Sequence, residues 1–332
     1  MKEDDKYKFS IVIPTYNEEN YILNCLSSIE NQNYERDLIE IIIVDGNSTD
    51  KTLNLVEGFK NKHNSIKIFQ NPEKKTPKSL NIGIRNATGD VIVILGAHTR
   101  LDENFLYYNN KFLHEKDVEV SGGTQINTGI NYIQNAIGIA MEMPFAMASA
   151  EYRWSKTEKF VDTVVYGAYK REVFDEIGYF EENFTISEDA ELNWRIRQKG
   201  HKIFYSPKIK SYYYPRASLI KFIKQMFRYG ILRVNVLKKH IDSIKLFHII
   251  PSFFVITLIG LIILTMIGYL DNRFLLLLLF VYFSVNIISS FIKTFPQKLV
   301  YLPILPLFVF LMHFFWGLGF IVGLILPKSA KW

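Results

Sequence analysis

The sequence predicts an α/β head with a mostly parallel, Rossmann-like sheet, then a basic amphipathic segment and a foot of membrane-crossing helices. Two observations predict it. Short apolar strands alternate with helical patterns through the first hundred residues, and charge nearly vanishes toward the C-terminus. Of 332 residues 48% are hydrophobic and 22% charged, yet residues 1–245 carry 66 Asp, Glu, Lys and Arg while residues 246–332 carry six. That division excludes a uniformly soluble enzyme and equally a chain embedded in a membrane throughout.

The head elements follow in order. SIVIPTYNEE is an apolar strand ending in a turn, and residues 20–31 have helical spacing. IEIIIVDGNSTD is a second strand running into an acidic, Gly-containing loop, and residues 52–62 are helical again. Residues 66–70 and 90–95 are two more apolar strands, separated by a helix over 79–86 that stops by Gly89. In sheets of this kind ligands bind beyond the carboxyl ends of the strands, so the loops after Ile13, Val44 and Leu95 are where chemistry is expected.

Residues 1–214 are net −5, whereas residues 215–245 hold eight bases and one acid, Asp242. This basic collar suits anionic lipid headgroups or lipid pyrophosphates; no nucleic-acid-binding motif accompanies it. Leu219, Ile220, Ile223, Phe227 and Ile231 form an apolar stripe there, with Lys221, Lys224, Arg228 and Arg233 supplying charge, as expected of a helix in the membrane interface. Residues 246–268, 274–291 and 300–326 contain no charge, and each is long enough to cross about 30 Å of hydrocarbon. Lys293 and Lys298 then face inward, while Lys328 and Lys331 are harder to place with three spans, leaving open a fourth crossing or a re-entrant third segment bent at Pro303 and Pro306. The single cysteine, Cys25, excludes an internal disulfide and a Cys-rich zinc site. MKEDDKYKFS lacks the features of a secretory signal, so the head is expected in the cytosol and the sequons at Asn47, Asn86 and Asn183 unused.

IVIPTYNEE, IIIVDGNSTDKT, SLNIGIRNATGDVIVIL and ISEDAELNWRIRQKG, in this order across residues 9–200, resemble family 2 glycosyltransferases, the nearest subgroup being membrane-bound enzymes of bacterial exopolysaccharide (succinoglycan-type) biosynthesis. Gln225, Arg228 and Tyr229 resemble that family's Gln-x-x-Arg-Trp motif with Tyr for Trp. The resemblance implies a glycosyltransferase A-type nucleotide-sugar-binding fold over residues 1–214 and an inverting transfer from a nucleotide-sugar donor to a lipid-linked glycan at the cytosolic face of the cell membrane. Transfer to polyprenyl phosphate itself, or an inactive nucleotide- or glycan-binding scaffold, are the alternatives.

By the same resemblance Pro14, Tyr16, Glu18 and Asp45 hold base and ribose; Asp45 can otherwise be a turn-forming residue before Gly46. Asp50 reads as a helix cap. Lys78 either meets a phosphate or belongs to a solvated basic stretch with Lys74 and Lys75. Where most of the family has Asp-x-Asp, binding ribose and a divalent ion, this chain has Gly96-Ala97-His98. His98 is then the candidate contact to Mn²⁺, Mg²⁺ or the pyrophosphate, with Asp102 a substitute ligand. Asp189 is the expected general base and Glu188 its structural or acceptor-binding neighbour; helix capping is the competing role. Gln225 and Arg228 are expected to contact acceptor and diphosphate. Trp154, Trp194 and residues 212–214 either line a sugar site or pack in the core.

Overall fold

The computed structural model describes residues 6–61, 66–182, 188–216, 218–241 and 245–326. Asn183, Ser187, Asp242, Lys328 and Lys331 lie outside them. The chain divides into two compact units, Met1–Ile126 with Ser155–Tyr213, and Asn127–Trp154 with Tyr214–Trp332.

In the first unit β1 (Phe9–Thr15), α1 (Ile22–Glu30), β2 (Ile39–Asp45), α2 (Thr52–Lys60), β3 (Ile66–Gln70), α3 (Thr76–Arg85) and β4 (Val91–Ile94) alternate as expected. The third helix begins three residues earlier than its apolar spacing suggests, because Pro77 fits the first turn, where a backbone N–H has no helical partner anyway. β1 pairs in parallel with β2 and β4, and β2 with β3. Every residue of β2 is buried. One face of β1 (Phe9, Ile11, Ile13) packs with Ile22, Cys25, Leu26 and Ile29 of α1, while Val12 points the other way, against Gly83 of α3. Helices therefore cover both faces, and the strands read as nearly continuous apolar runs.

β5 (Thr99–Leu101), α4 (Phe105–Glu115), β6 (Val120–Asn127), β7 (Lys159–Phe160), β8 (Val165–Lys170), α6 (Arg171–Ile177), α7 (Glu188–Gln198) and β9 (Ile203–Tyr213) complete the sheet, with α5 (Tyr132–Met141) following β6 in the chain. The order is β3-β2-β1-β4-β8-β6-β9-β5, with β7 paired to β9. From β4 outward the pairings of β8 to β4, β6 to β8, β5 to β9 and β7 to β9 are antiparallel. The parallel character is thus confined to β1–β4, where helices connect the strands.

The second unit joins α5 to α8 (Leu219–Lys239), α9 (Leu246–Met266), α10 (Asn272–Thr294) and α11 (Leu305–Ile325). Residues 127–154, part of the head in sequence order, pack here because α5 is apolar: Ile137, Ala140 and Met141 cluster with Phe222, Met226, Phe308 and Met312. Lys293 Nζ lies 3.0 Å from Glu142 Oε2 at the end of α5. α9, α10 and α11 are each long and apolar enough to cross a membrane, with hydropathies of 2.5, 2.3 and 2.2. α11 is the most enclosed, and Pro306 stands in its first turn, so the helix runs unbroken. His313 on α11 lies 2.9 Å from the Tyr282 hydroxyl and 3.0 Å from the Phe145 carbonyl, which satisfies both ring nitrogens in an apolar setting.

α8 packs closely on α11. Its buried face is Phe222, Met226, Gly230 and Val234, at a spacing of four; of the apolar stripe read from the sequence only Ile231 is buried, and Leu219 and Ile220 are exposed. The reason is close backbone packing against α11: a Cβ on Gly319 would lie 2.0 Å from the Phe227 carbonyl oxygen, and one on Gly230 2.1 Å from that of Trp316. Lys238 of the collar donates to the Gly323 and Leu326 carbonyls at 2.7 and 2.6 Å, capping α11. Gly319→Ala is expected to cost about 1–3 kcal/mol or more, because only separating the helices can relieve the clash. Gly260→Ala on α9, with open space around it, is expected to be near neutral. Thermal unfolding of both variants in the same detergent checks this, and equal midpoints would refute the close-packing account.

Candidate active site

The loops after β1 and β2 are stitched together by side chains. Asn17, at φ 54°, donates its N–H to Ser48 Oγ at 3.0 Å and accepts the Thr49 N–H on Oδ1 at 2.8 Å. Glu18 N–H donates to Thr52 Oγ1 at 2.7 Å and Glu19 N–H to Asp50 at 3.1 Å. Asp50 also accepts the Thr52 N–H at 2.9 Å, the capping role expected of it. Asp45 is buried; Oδ1 accepts from the Thr15 and Ser48 hydroxyls at 3.1 and 2.6 Å, and Oδ2 from the Ser48 N–H at 2.9 Å. It therefore shapes the loop whatever else it binds, and a carboxylate has roughly four acceptor sites, so one remains.

Tyr16 is exposed, and Lys74, at φ 58°, holds Nζ 4.8 Å from its ring centre and 3.5 Å from its hydroxyl. Lys78 instead pairs with Glu73 on its own surface. The cation at the Tyr16 loop is thus Lys74. The sequence left Lys78 open between a phosphate contact and a solvated stretch with Lys74 and Lys75, and the left-handed backbone at residue 74, which brings Lys74 to Tyr16, has no signal in it.

At the end of β4, His98 Nδ1 lies 2.9 Å from Glu18 Oε1. An ionised carboxylate can only accept, so when the His98 ring is neutral this contact fits a proton on Nδ1 and a lone pair on Nε2. A carboxylate behind a histidine is the usual support for a metal-binding imidazole. The His98 ring sits 5.3 Å from that of Tyr213, whose strand β9 pairs with β5 directly after His98. Asp102 accepts from the Tyr212 hydroxyl at 3.2 Å and from Asn104 N–H at 3.3 Å, so it is tied into its own loop. Among the described residues no group of three or more His, Cys, Asp or Glu is arranged to hold a metal. The His98–Glu18 pair would offer a divalent ion a single protein ligand, the His98 imidazole.

Glu188 and Asp189 open α7, where the helix dipole favours acids, and Asp189 Oδ1 accepts the Ala190 N–H at 2.7 Å. Removal of the Glu188 carboxyl from water, together with the charge of Asp189 beside it, raises its pKa above the ordinary carboxylate range. The rest of the helix is anchored. Buried Glu191 takes the Arg195 guanidinium at 2.9–3.0 Å, and Arg195 also donates to the Ile177 and Tyr179 carbonyls, each at 2.8 Å. Asn193 accepts from the Tyr169 hydroxyl at 3.2 Å and donates to Thr163 at 2.8 Å. These positioning residues were missed by sequence reasoning; the i,i+4 spacing of Glu191 and Arg195 was the one available signal.

In the second unit Gln225 donates to the Tyr229 hydroxyl at 2.8 Å, and its buried Oε1 has no hydrogen-bond partner among the described residues. Tyrosine in place of tryptophan thus gains a bond to Gln225 one turn away. Arg228 is exposed. Trp154 donates to the Met147 carbonyl at 3.3 Å, a packing role.

The sequence profile of the family described as glycosyl transferase family 2 matches residues 10–178. This chain belongs to that family. The transferase is 34% identical over 331 residues, 97% of its length and 98% of the relative's, to a dolichyl N-acetyl-α-D-glucosaminyl phosphate 3-β-D-2,3-diacetamido-2,3-dideoxy-β-D-glucuronosyltransferase of Methanococcus voltae. It is 24% identical to the succinoglycan biosynthesis protein ExoA of Rhizobium meliloti (strain 1021), over 69% of this chain and 70% of that protein. Among solved structures a mannosyltransferase from Pyrobaculum calidifontis in complex with GDP-Man and Mn²⁺ superposes with a TM-score of 0.61 at 18% identity, covering 92% of the transferase and 86% of that chain, a likeness of fold.

Proposed function

We propose that this transferase moves a sugar, with inversion, from a nucleotide-sugar donor to a saccharide carried on a polyprenyl-type lipid phosphate, working at the cytosolic face of a membrane held by α9–α11. The observation that carries the reading is the identity of 34% along essentially the whole chain with a protein named for adding a sugar to a dolichyl-phosphate-linked N-acetylglucosamine. Donor base and ribose bind the loops of Pro14, Tyr16, Glu18 and Asp45, Lys74 faces the nucleotide, and His98 meets the diphosphate or its divalent ion. A bound divalent ion would neutralise charge on the departing diphosphate. Asp189 takes the proton from the attacking hydroxyl, and Gln225 and Arg228 on α8 meet the acceptor's phosphate.

The purified full chain in detergent, given a panel of nucleotide sugars, should glycosylate a dolichyl-phosphate-linked N-acetylglucosamine and leave bare polyprenyl phosphate unchanged. Product on the bare phosphate alone would overturn the acceptor assignment. His98→Ala is expected to weaken nucleoside diphosphate binding by roughly tenfold or more while nucleoside binding changes little. Titration calorimetry with UDP or GDP against the matching nucleoside checks this, and equal losses for both ligands would remove His98 from the diphosphate.

A further inference from the structure

α9 and α10 form a hairpin with Tyr269 at its tip and Phe254 stacked on Tyr282 at 4.5 Å. Its buried residues all lie toward the open end: His248, Ser252, Val255 and Leu258 on α9, and Asn286, Ser290 and Thr294 on α10. Between Leu258 and Asn286 no residue is buried, and Ile263, Met266, Phe274 and Phe280 are exposed. α11 therefore does not accompany the hairpin to its tip. It starts beside the open-end half of α10, where Asn286 donates to the Pro306 carbonyl at 2.9 Å, and passes Tyr282 and Phe254 by way of His313 and Phe310. It then turns toward the beginning of α9. Trp316 stacks on His248 with ring centres 6.4 Å apart, and a Cβ on Gly317 would collide with the Pro251 carbonyl. Both ends of α11 thus lie on the side where α9 begins and α10 ends. Chain continuity makes that side the head's: Lys293, near the end of α10, pairs with Glu142, whose other oxygen accepts the N–H of Asn127, the last residue of β6.

α8 keeps to α11 along its length. The two run parallel, with Phe222 beside Phe308, Gly230 against the backbone of Trp316 and Phe320, and Lys238 on the Gly323 and Leu326 carbonyls. Helices paired in this way share one depth, so a crossing α11 would carry Arg228 and Arg233 toward the bilayer centre, where ionised side chains are strongly disfavoured. From Phe308 to Gly323 no residue of α11 is exposed, so its apolar character is used in packing rather than against lipid.

We propose that only α9 and α10 cross the membrane, while α8 and α11 bed as a pair in the leaflet on the head's side. The exposed stripe of Lys221, Lys224 and Arg228 meets the headgroups of that leaflet, and Leu307 and Leu324 its acyl region. This goes beyond the transfer reading and does not depend on it. Lys328 and Lys331, which follow Ile325 in the sequence, then fall on the side already set by Lys293 and Lys298, as the bias of basic flanks toward one side requires.

The test is labelling of the full chain with a membrane-impermeant maleimide in sealed vesicles holding at most one chain each, captured through an N-terminal affinity tag so that every head faces out. Three exposed positions serve: Glu57→Cys on α2, Tyr269→Cys at the hairpin tip and Ile325→Cys at the end of α11. The native Cys25 is buried, and the unsubstituted chain sets the background. Glu57→Cys and Ile325→Cys should be labelled before detergent opens the vesicles, and Tyr269→Cys only afterwards. With three crossings Ile325→Cys would instead wait for detergent like Tyr269→Cys, which overturns the proposal. Labelling of Tyr269→Cys together with the head would overturn it as well, since the hairpin would then not cross.

Discussion

Asp189→Asn is expected to lower transfer to the lipid-linked acceptor by at least about 10²-fold while donor binding changes little, because the amide keeps the size of the carboxylate but cannot accept a proton. The anchoring around it makes the experiment clean. Glu191–Arg195 and Asn193–Tyr169 hold α7 without using Asp189, so the fold should survive. The Ala190 N–H loses charge on its acceptor, a contact at the helix start worth about 1 kcal/mol. The check is kcat with saturating donor and acceptor, beside calorimetric donor affinity. Turnover within a few-fold of wild type would reduce Asp189 to a helix cap.

The second large effect is on pH dependence. Burial and the neighbouring Asp189 charge raise the Glu188 pKa, so Glu188 is expected to ionise above the ordinary carboxylate value of about 4 and, standing beside the base, to change kcat/KM in that raised range. Glu188→Gln cannot ionise and should abolish that step. For stability the sign is opposite to that of a salt-bridged acid. The folded chain keeps a proton that the unfolded chain has lost, so stability falls as pH rises from the ordinary carboxylate range toward the raised pKa, then levels off. In Glu188→Gln this fall should disappear. A wild-type stability curve flat across this range, or a fall that persists in Glu188→Gln, would refute the raised pKa.

Much of the fold was legible in the sequence because its signals are local. IVIP is apolar throughout and IEIIIVD at all but Glu40 and Asp45, runs that suit a strand covered on both faces, and α9, α10 and α11 are read from length and hydropathy alone. The chain's order of motifs likewise pointed to its family, to the loops that carry His98 and Asp45, and to the acids that open α7. Tertiary structure decided the rest, through contacts between residues far apart in the chain. That Lys74 meets Tyr16, that Glu18 meets His98 across 80 positions, and that Tyr166 lies against the face of Gly96 all depend on which strand ends become neighbours. The same holds for α8. Its amphipathic pattern suits a membrane surface or a helix partner equally well, and only Gly230 meeting the backbone of α11, closer than any side chain would permit, selects the partner.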